Sequence, residues 1–173
     1  RAVVKNCFAT GDVSSGAFNV GGLIGVMSYA EVSSSNASGK VKGKSVVGGL
    51  VGRNCSIITD CFATGFVEGE SFVGGFVGDN TWDNVTGSIA RCYSTGAVKA
   101  TGQFSGGFAG ENIAGDILDS FSTGSVSGQN YIGGFCGYND GHFARCYTVS
   151  SVNVDVPVEQ IGGFCGGSGT SLA

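Results

Sequence analysis

The stretch Ile58-Thr59-Asp60-Cys61-Phe62-Ala63-Thr64-Gly65-Phe66-Val67, followed by Gly74-Gly75-Phe76-Val77-Gly78, decides how this chain folds. The second block, two glycines, two apolar residues and a closing glycine, occurs six times in the 173 residues. Its copies begin at Gly21, Gly48, Gly74, Gly106, Gly133 and Gly162, at intervals of 27, 26, 32, 27 and 29 residues. Such a period is typical of a repeat protein, in which each unit packs on the next.

The first block also recurs, and two of its positions are apolar in all six copies. The opening position holds Val4, Val32, Ile58, Ile89, Ile117 and Phe143, and the closing position holds Val13, Val41, Val67, Val98, Val126 and Val152. These short runs are β-branched and aromatic, end at glycines and lack the period of a helix, so they predict strands. Stacking pairs every strand and makes one core. The sequence therefore predicts an all-β fold, a β-solenoid of six repeats of about 28 residues.

We expect a single solenoid domain over residues 1–173. The approximate repeats are 1–27, 28–54, 55–80, 81–112, 113–139 and 140–173. The chain starts at Arg1 and not at Met, so we expect a processed product or a segment of a longer protein.

Composition excludes several classes of protein. The 33 glycines accompany one proline and have no three-residue period, unlike collagen, and 12 Phe with 5 Tyr are too many for a disordered linker. The nine basic residues are scattered and the net charge is −4, so we expect no nucleic-acid partner. No apolar run reaches the roughly 18 residues of a membrane span, so we expect no membrane insertion.

Together these blocks resemble the GLUG-motif repeats, named after their Gly-Leu-any-Gly signature, and the likeness covers nearly the whole chain. Such repeats occur in large bacterial surface and secreted proteins. These include immunoglobulin-A-cleaving metallopeptidases and adhesins that resemble filamentous haemagglutinin. The resemblance implies an extracellular stalk or adhesive module and supplies no catalytic residues.

The chain departs from this pattern in two copies. The second copy has Ser35-Asn36 in place of Cys or Ser followed by an aromatic residue, and the sixth has Val149-Ser150 in place of Thr-Gly. The peptidase zinc motif His-Glu-x-x-His is absent, because His142 is the only histidine.

Strand parity predicts an outward aromatic column. Positions equivalent to Asp60 are polar, so this position is expected to face solvent. Side chains alternate along an extended strand, so Cys61 and Ala63 would point inward and Phe62 would point outward with Asp60. The predicted column consists of Phe8, Phe62, Tyr93, Phe121 and Tyr147. Exposed rings along a rod would mark a contact surface for a glycan, another rod or a partner domain. The alternative is a bulge that turns the rings into the core.

The connector between Gly78 and Ile89 is the longest and holds Trp82, the best single candidate for a ligand contact. Its alternative role is to cover the side of the rod. Asp79, Asn80 and Asp83 also suggest a calcium site, but the aspartate-rich nonapeptide of calcium-binding β-helices is missing. We therefore expect no metal and no cofactor.

Three other polar columns leave alternatives open. Asn54, Asn80, Asn112 and Asn139 are either turn residues or a stacked amide ladder. Cys7, Cys61, Cys92 and Cys146 share one column, and Cys136 and Cys165 share another; buried thiols are favoured over disulfides, because stacked Cβ vectors run parallel. Thr10, Ser38, Thr64, Thr95 and Thr123 form a hydroxyl column, which raises the alternative of ice binding.

These observations favour a structural or adhesive repeat rod, extracellular or at the cell surface, that assembles end to end into filaments. The alternatives are a carbohydrate-binding surface module and, less favoured, an ice-binding solenoid. The sequence signals neither a nucleophile with a base nor paired carboxylates, so we expect no enzyme. Expected partners are other copies of the chain, neighbouring domains of a longer chain, or a glycan.

Overall fold

The chain winds through four sheets, once per repeat, and the coils stack in parallel register. The computed structural model describes residues 1–81, 87–154 and 160–169. Within these ranges the chain forms strands and no helix, and neighbouring strands pair one coil apart. The described residues therefore include no helix long and apolar enough to cross a membrane. This architecture confirms the predicted all-β solenoid of about six turns.

Each sheet collects one strand position from successive coils. Sheet 1 contains β1 (Ala2–Lys5), β5 (Ile24–Ser33), β9 (Val51–Thr59), β13 (Val77–Asn80), β14 (Ser88–Ala90), β18 (Ala109–Leu118), β22 (Cys136–Ala144) and β26 (Cys165–Ser168). Sheet 2 contains β2 (Phe8–Ala9), β6 (Asn36–Ala37), β10 (Phe62–Ala63), β15 (Tyr93–Ser94), β19 (Phe121–Ser122) and β23 (Tyr147–Thr148). Sheet 3 contains β3 (Val13–Ser14), β7 (Val41–Lys42), β11 (Val67–Gly69), β16 (Val98–Ala100), β20 (Val126–Ser127) and β24 (Val152–Asn153). Sheet 4 contains β4 (Phe18–Gly21), β8 (Ser45–Gly48), β12 (Ser71–Gly74), β17 (Gln103–Gly106), β21 (Asn130–Gly133) and β25 (Ile161–Gly162).

Left-handed residues form the corner between sheets 1 and 2. Their φ angles lie between 48° and 56°, and they are Asn6, Ser34, Asp60, Arg91, Asp119 and Arg145. This backbone region suits Asn and Asp and is less favourable for Arg, so packing on both sides must hold the corner in the Arg coils. The turn directs the next side chain inward, and Cys61, Cys92 and Ser120 are accordingly buried.

The two predicted apolar columns are buried ladders. Ile58, Ile89 and Ile117 of the opening column stack in register inside sheet 1 and are fully buried. Val67 and Val126 of the closing column are buried in the same way inside sheet 3. The core therefore has two parts, one that contains the sheet 1 ladder and one between sheets 3 and 4.

A ladder of phenylalanines follows the glycine pairs through the first part of the core. Phe76, Phe108, Phe135 and Phe164 stack with ring centroids 4.7–4.9 Å apart and planes within 9° of parallel. The first three rings are fully buried. Burial of each such ring contributes about 2–3 kcal/mol to the free energy of unfolding. This ladder is therefore a main source of cohesion between coils.

Close approach between coils explains the glycine pairs. A Cβ atom on Gly74 would lie 1.9 Å from the carbonyl oxygen of Val77. A Cβ atom on Gly75 would lie 2.1 Å from the carbonyl oxygen of Gly107 in the next coil. Both separations are far below any van der Waals contact, so only glycine fits at these positions. The high glycine content therefore reflects tight stacking of the backbone.

Candidate interaction face

The predicted aromatic column forms a ring ladder on the outer face of sheet 2. Phe62, Tyr93, Phe121 and Tyr147 are paired in register, with ring centroids 4.9–5.0 Å apart and planes within 8° of parallel. The strand alternates as predicted, because Ala63 and Ser94 point inward and are buried. The alternative of a bulge that turns the rings into the core is therefore wrong.

The aromatic column is exposed most strongly at its two ends. Tyr147 is 54% exposed, and Phe8, separated from Phe62 by Asn36, is 67% exposed. Tyr93 and Phe121 each stack on a ring in both neighbouring coils. Their faces are therefore occupied within the chain, and a partner would meet mainly their edges.

A column of alternating charges borders the ring ladder at the left-handed corner. Going along the rod, its members are Asp60, Arg91, Asp119 and Arg145. Arg91 donates two hydrogen bonds of 2.7 Å to the carboxylate of Asp60. Arg145 donates to both oxygens of Asp119 in the same way. The charge order is thus minus, plus, minus, plus over four coils. Strand parity predicts that this position is exposed. The pairing of Asp with Arg becomes visible only when the residues at this position in successive coils are compared.

These ion pairs lower the carboxylate pKa values but contribute little to folding. Hydrogen bonding from Arg91 lowers the pKa of Asp60, and Arg145 does the same for Asp119. All four side chains are substantially exposed, with 39–68% of their surface accessible. Exposed pairs of this kind typically add under about 1 kcal/mol each. Their main property is a fixed order of charge on the surface.

The hydroxyl column lies on the other side of the ring ladder. Thr10, Ser38, Thr64, Thr95 and Thr123 are all exposed. The outward neighbours of Thr64 within its coil are Phe62 and Phe66, so no second hydroxyl column runs beside it there. Ice binding by paired threonine columns stays a prediction.

The calcium and loop-ligand hypotheses fall partly outside the described residues. Trp82 and Asp83 both lie in the segment 82–86, outside those residues. Asp79 forms an ion pair with Arg53, at 3.1 Å between Nε and Oδ2, and Asn80 is committed to other amides. The described residues contain no cluster of three or more metal-ligating side chains.

The asparagine column is a continuous amide ladder inside the rod. The Nδ2 atoms of Asn54, Asn80 and Asn112 each donate to the Oδ1 atom of the asparagine in the next coil, at 2.7–2.8 Å. The ladder ends at Asn139, whose Nδ2 donates to a backbone carbonyl. The first three amides are fully buried. Of the two roles left open by the sequence, the structure shows the ladder.

Sheet 1 also carries a charged column that was not among the predicted columns. Arg53, Asp79 and Glu111 occupy equivalent positions in three successive coils. Burial raises the pKa of Asp79, although the neighbouring Arg53 opposes the shift. Burial and the nearby Asp79 raise the pKa of Glu111 to about 7. Comparison of equivalent positions reveals the column, but the pKa depends on burial, which the sequence does not show.

We predict that Glu111→Gln stabilises the protein at pH 8 and flattens its pH dependence. The pKa of Glu111 is about 7 in the folded chain against an ordinary 4.5. As pH rises, the unfolded chain therefore releases this proton at a lower pH than the folded chain does. Wild-type stability should therefore fall as pH rises from 4.5 to 7, by about 2 kcal/mol for this half-buried group. Urea denaturation at several pH values measures the effect.

The matched control for this substitution is Glu70→Gln on an exposed glutamate, which should change stability at pH 8 by under about 0.5 kcal/mol. Equal effects of the two variants would contradict the assignment to Glu111.

The cysteines lie within the described residues and form no disulfide. Cys61, Cys92 and Cys136 are buried, whereas Cys7 is exposed and Cys146 and Cys165 are half-buried. Burial raises the pKa of Cys92 and Cys136 well above its usual value. Their thiols are therefore protonated near neutral pH and react slowly. This agrees with the predicted buried thiols, except at the exposed Cys7.

The glycine-pair turn that follows the sheet 4 strand of each coil is part of a known sequence motif. Residues 16–42 match the family model of the GLUG motif. This segment carries a GLUG motif. It runs from the loop before β4, through the Gly-Gly turn and β5, to the end of β7, and so covers one full circuit of the rod. Equivalent glycines stack directly on those of the GLUG motif, as shown by the pairing of Gly21 with Gly48. No curated protein and no solved structure is significantly similar to the chain.

Proposed function

We propose that the chain is a structural and adhesive rod of an extracellular or cell-surface protein, and that it has no enzymatic activity. The observation that carries the proposal is the in-register stacking of the coils. The aliphatic, phenylalanine and amide ladders each continue from coil to coil. A stack of this kind has a fixed length per repeat and regular faces, which suits a spacer that presents contact surfaces.

Extracellular location is supported by the GLUG motif, since such repeats occur in bacterial surface and secreted proteins. End-to-end filament growth would use the same contacts as the coils themselves, because each coil pairs with the next through parallel strands. The ring ladder supplies the adhesive face. Neighbouring domains of a longer chain would extend the same rod.

A glycan is the second candidate partner of the ring ladder. It is favoured by the high exposure of Phe8, whose neighbour in the next coil is Asn36 and not a ring, and of Tyr147, which stacks on Phe121 on one side. The stacking of Tyr93 and Phe121 on other rings favours a protein partner instead. Phe8→Ala and Tyr147→Ala should abolish glycan capture if sugars bind here.

The test is a bead-clustering assay combined with a glycan array and labelling of intact cells. Beads coated with the chain should cluster, and antibodies should label intact source cells without permeabilisation. Light scattering and negative-stain electron microscopy over a concentration series would show rods of constant width that grow in length. Dispersed beads, an empty array and labelling only after permeabilisation would overturn the proposal.

A further inference from the structure

We infer that the outer face of sheet 2 is a lateral interface for a second copy of this chain, packed antiparallel. The inference deepens the proposed function and rests on it, because it names the partner and the orientation of the adhesive face. Three adjacent columns define this interface: the alternating charges, the ring ladder and the hydroxyl column.

The order of the charges selects the antiparallel orientation. When two rods meet face to face and run in opposite directions, each column faces its own reversed copy. Asp60 then faces Arg145 of the second copy, and Arg91 faces Asp119 of the second copy. All four contacts join opposite charges. Parallel rods would instead place the charge column against the hydroxyl column, so the charges would gain no opposite charge from the second copy and complementarity is lost.

The ring ladder supplies the apolar centre of the interface. In the antiparallel arrangement Phe62 faces Tyr147 of the second copy, and Tyr93 faces Phe121 of the second copy. The exposed edges of both ladders repeat at the same spacing of 4.9–5.0 Å, so they can interdigitate along the face. Stacked side chains of matching period form dry interfaces between paired sheets in this way. Beside the rings, Thr95 faces Thr123 of the second copy and can share a hydrogen bond with it, whereas Thr64 faces the exposed Val149 of the second copy.

The size of the face predicts weak pairing. Four coils about 4.8 Å apart and a face about 12 Å wide give on the order of 200 Å² per copy. A stable complex buries about 800 Å² per partner. Pairing of isolated chains should therefore require concentrations of roughly 100 µM or more and weaken as salt is raised from about 10 to 150 mM. Rods held side by side on one surface would pair more strongly through multivalency.

Two charge-exchange variants test the orientation directly. The first combines Asp60→Arg with Arg91→Asp, and the second combines Asp119→Arg with Arg145→Asp. Each variant keeps the composition, the net charge and both ion pairs within the chain. In antiparallel dimers of either variant, however, all four contacts join like charges. A mixture of the two variants restores four opposite-charge contacts, so they should pair with each other and not with themselves.

Sedimentation velocity over a concentration series measures the pairing. Each variant alone should bind itself at least about tenfold more weakly than wild type, and a one-to-one mixture should return to within about threefold of the wild-type value. A variant carrying all four substitutions keeps the alternation throughout and should self-associate like wild type. Melting curves verify folding, and this fourfold variant serves as the control for any loss of stability in the other two.

The inference is overturned if wild type stays monomeric up to about 1 mM, if either variant pairs like wild type, or if the mixture fails to recover. The same variants, tested in the bead assay, separate this outcome from failure of the rod proposal. Beads that cluster equally with wild type and with either variant would keep the adhesive role and reject this interface.

Discussion

Gly75→Ala is expected to cost about 4 kcal/mol or more of unfolding free energy and to separate two neighbouring coils. The new methyl group would lie 2.1 Å from the carbonyl oxygen of Gly107, an atom of the backbone that cannot rotate away. Relief requires the coils to move apart by about 1 Å, which strains the bonds from Gly75 N to Gly106 O and from Phe76 N to Phe108 O. Few single substitutions reach this magnitude.

Thermal unfolding measures the effect of Gly75→Ala, with an expected fall in Tm of about 10–15 °C for a chain of this length. The matched control is Gly16→Ala, because a Cβ atom on Gly16 meets no other atom within 4 Å. That control should change stability by under about 0.5 kcal/mol. Similar losses of stability in the two variants would show that Gly75 is needed for its backbone conformation and not for the close approach of the coils.

Asn112→Ala is expected to cost about 3–4 kcal/mol, because it interrupts the amide ladder at a buried position. Asn112 accepts from Asn80, at 2.7 Å, and donates to Asn139, at 2.7 Å, and to the Gly115 carbonyl, at 3.1 Å. Alanine removes all three bonds. Asn80 Nδ2 keeps only its longer bond to Gly87 O, at 3.4 Å, and Asn139 Oδ1 keeps the bond from Gly141 N, at 3.3 Å. Each lost bond in or near the core costs about 1 kcal/mol, and more where a buried group is left unpaired.

Urea denaturation of Asn112→Ala beside Asn153→Ala tests this cost. Asn153 is an exposed asparagine on sheet 3, and its replacement should be nearly neutral. Hydrogen exchange should show faster opening in the coils that flank residue 112 than in more distant coils. An Asn112 variant as stable as the Asn153 variant would contradict a structural role for the ladder.

The columns that could be predicted from sequence are those in which every coil repeats one chemistry. Valine recurs at Val67 and its equivalents, and glycine pairs recur at a constant spacing, so stacking follows directly. Parity around Cys61 also placed Phe62 on the outer face. The direction of a side chain in a strand depends only on alternation, which a sequence displays.

The features that escaped prediction depend on contacts between unlike residues in different coils. Asp60 and Arg91 occupy the same column in successive coils. A single coil shows only that its residue at this position is polar, and not that the sign of the charge alternates along the column. The raised pKa of Glu111 results from burial beside Asp79 in the preceding coil. The left-handed backbone at Arg91 contradicts the local preference of arginine and is imposed by the stack. Such properties belong to the assembled rod.

The direction of the hydrogen bonds between coils has a mechanical consequence. These bonds run from each coil to the next, as in the bond from Phe108 N to Phe135 O, and therefore lie along the rod axis. A pulling force applied along that axis would load them one row at a time, so coils would peel away in sequence. Each released coil of about 27 residues would add roughly 90 Å of slack at about 3.4 Å per residue. The rod would then extend in steps under tension and so limit the force that reaches whatever it is attached to.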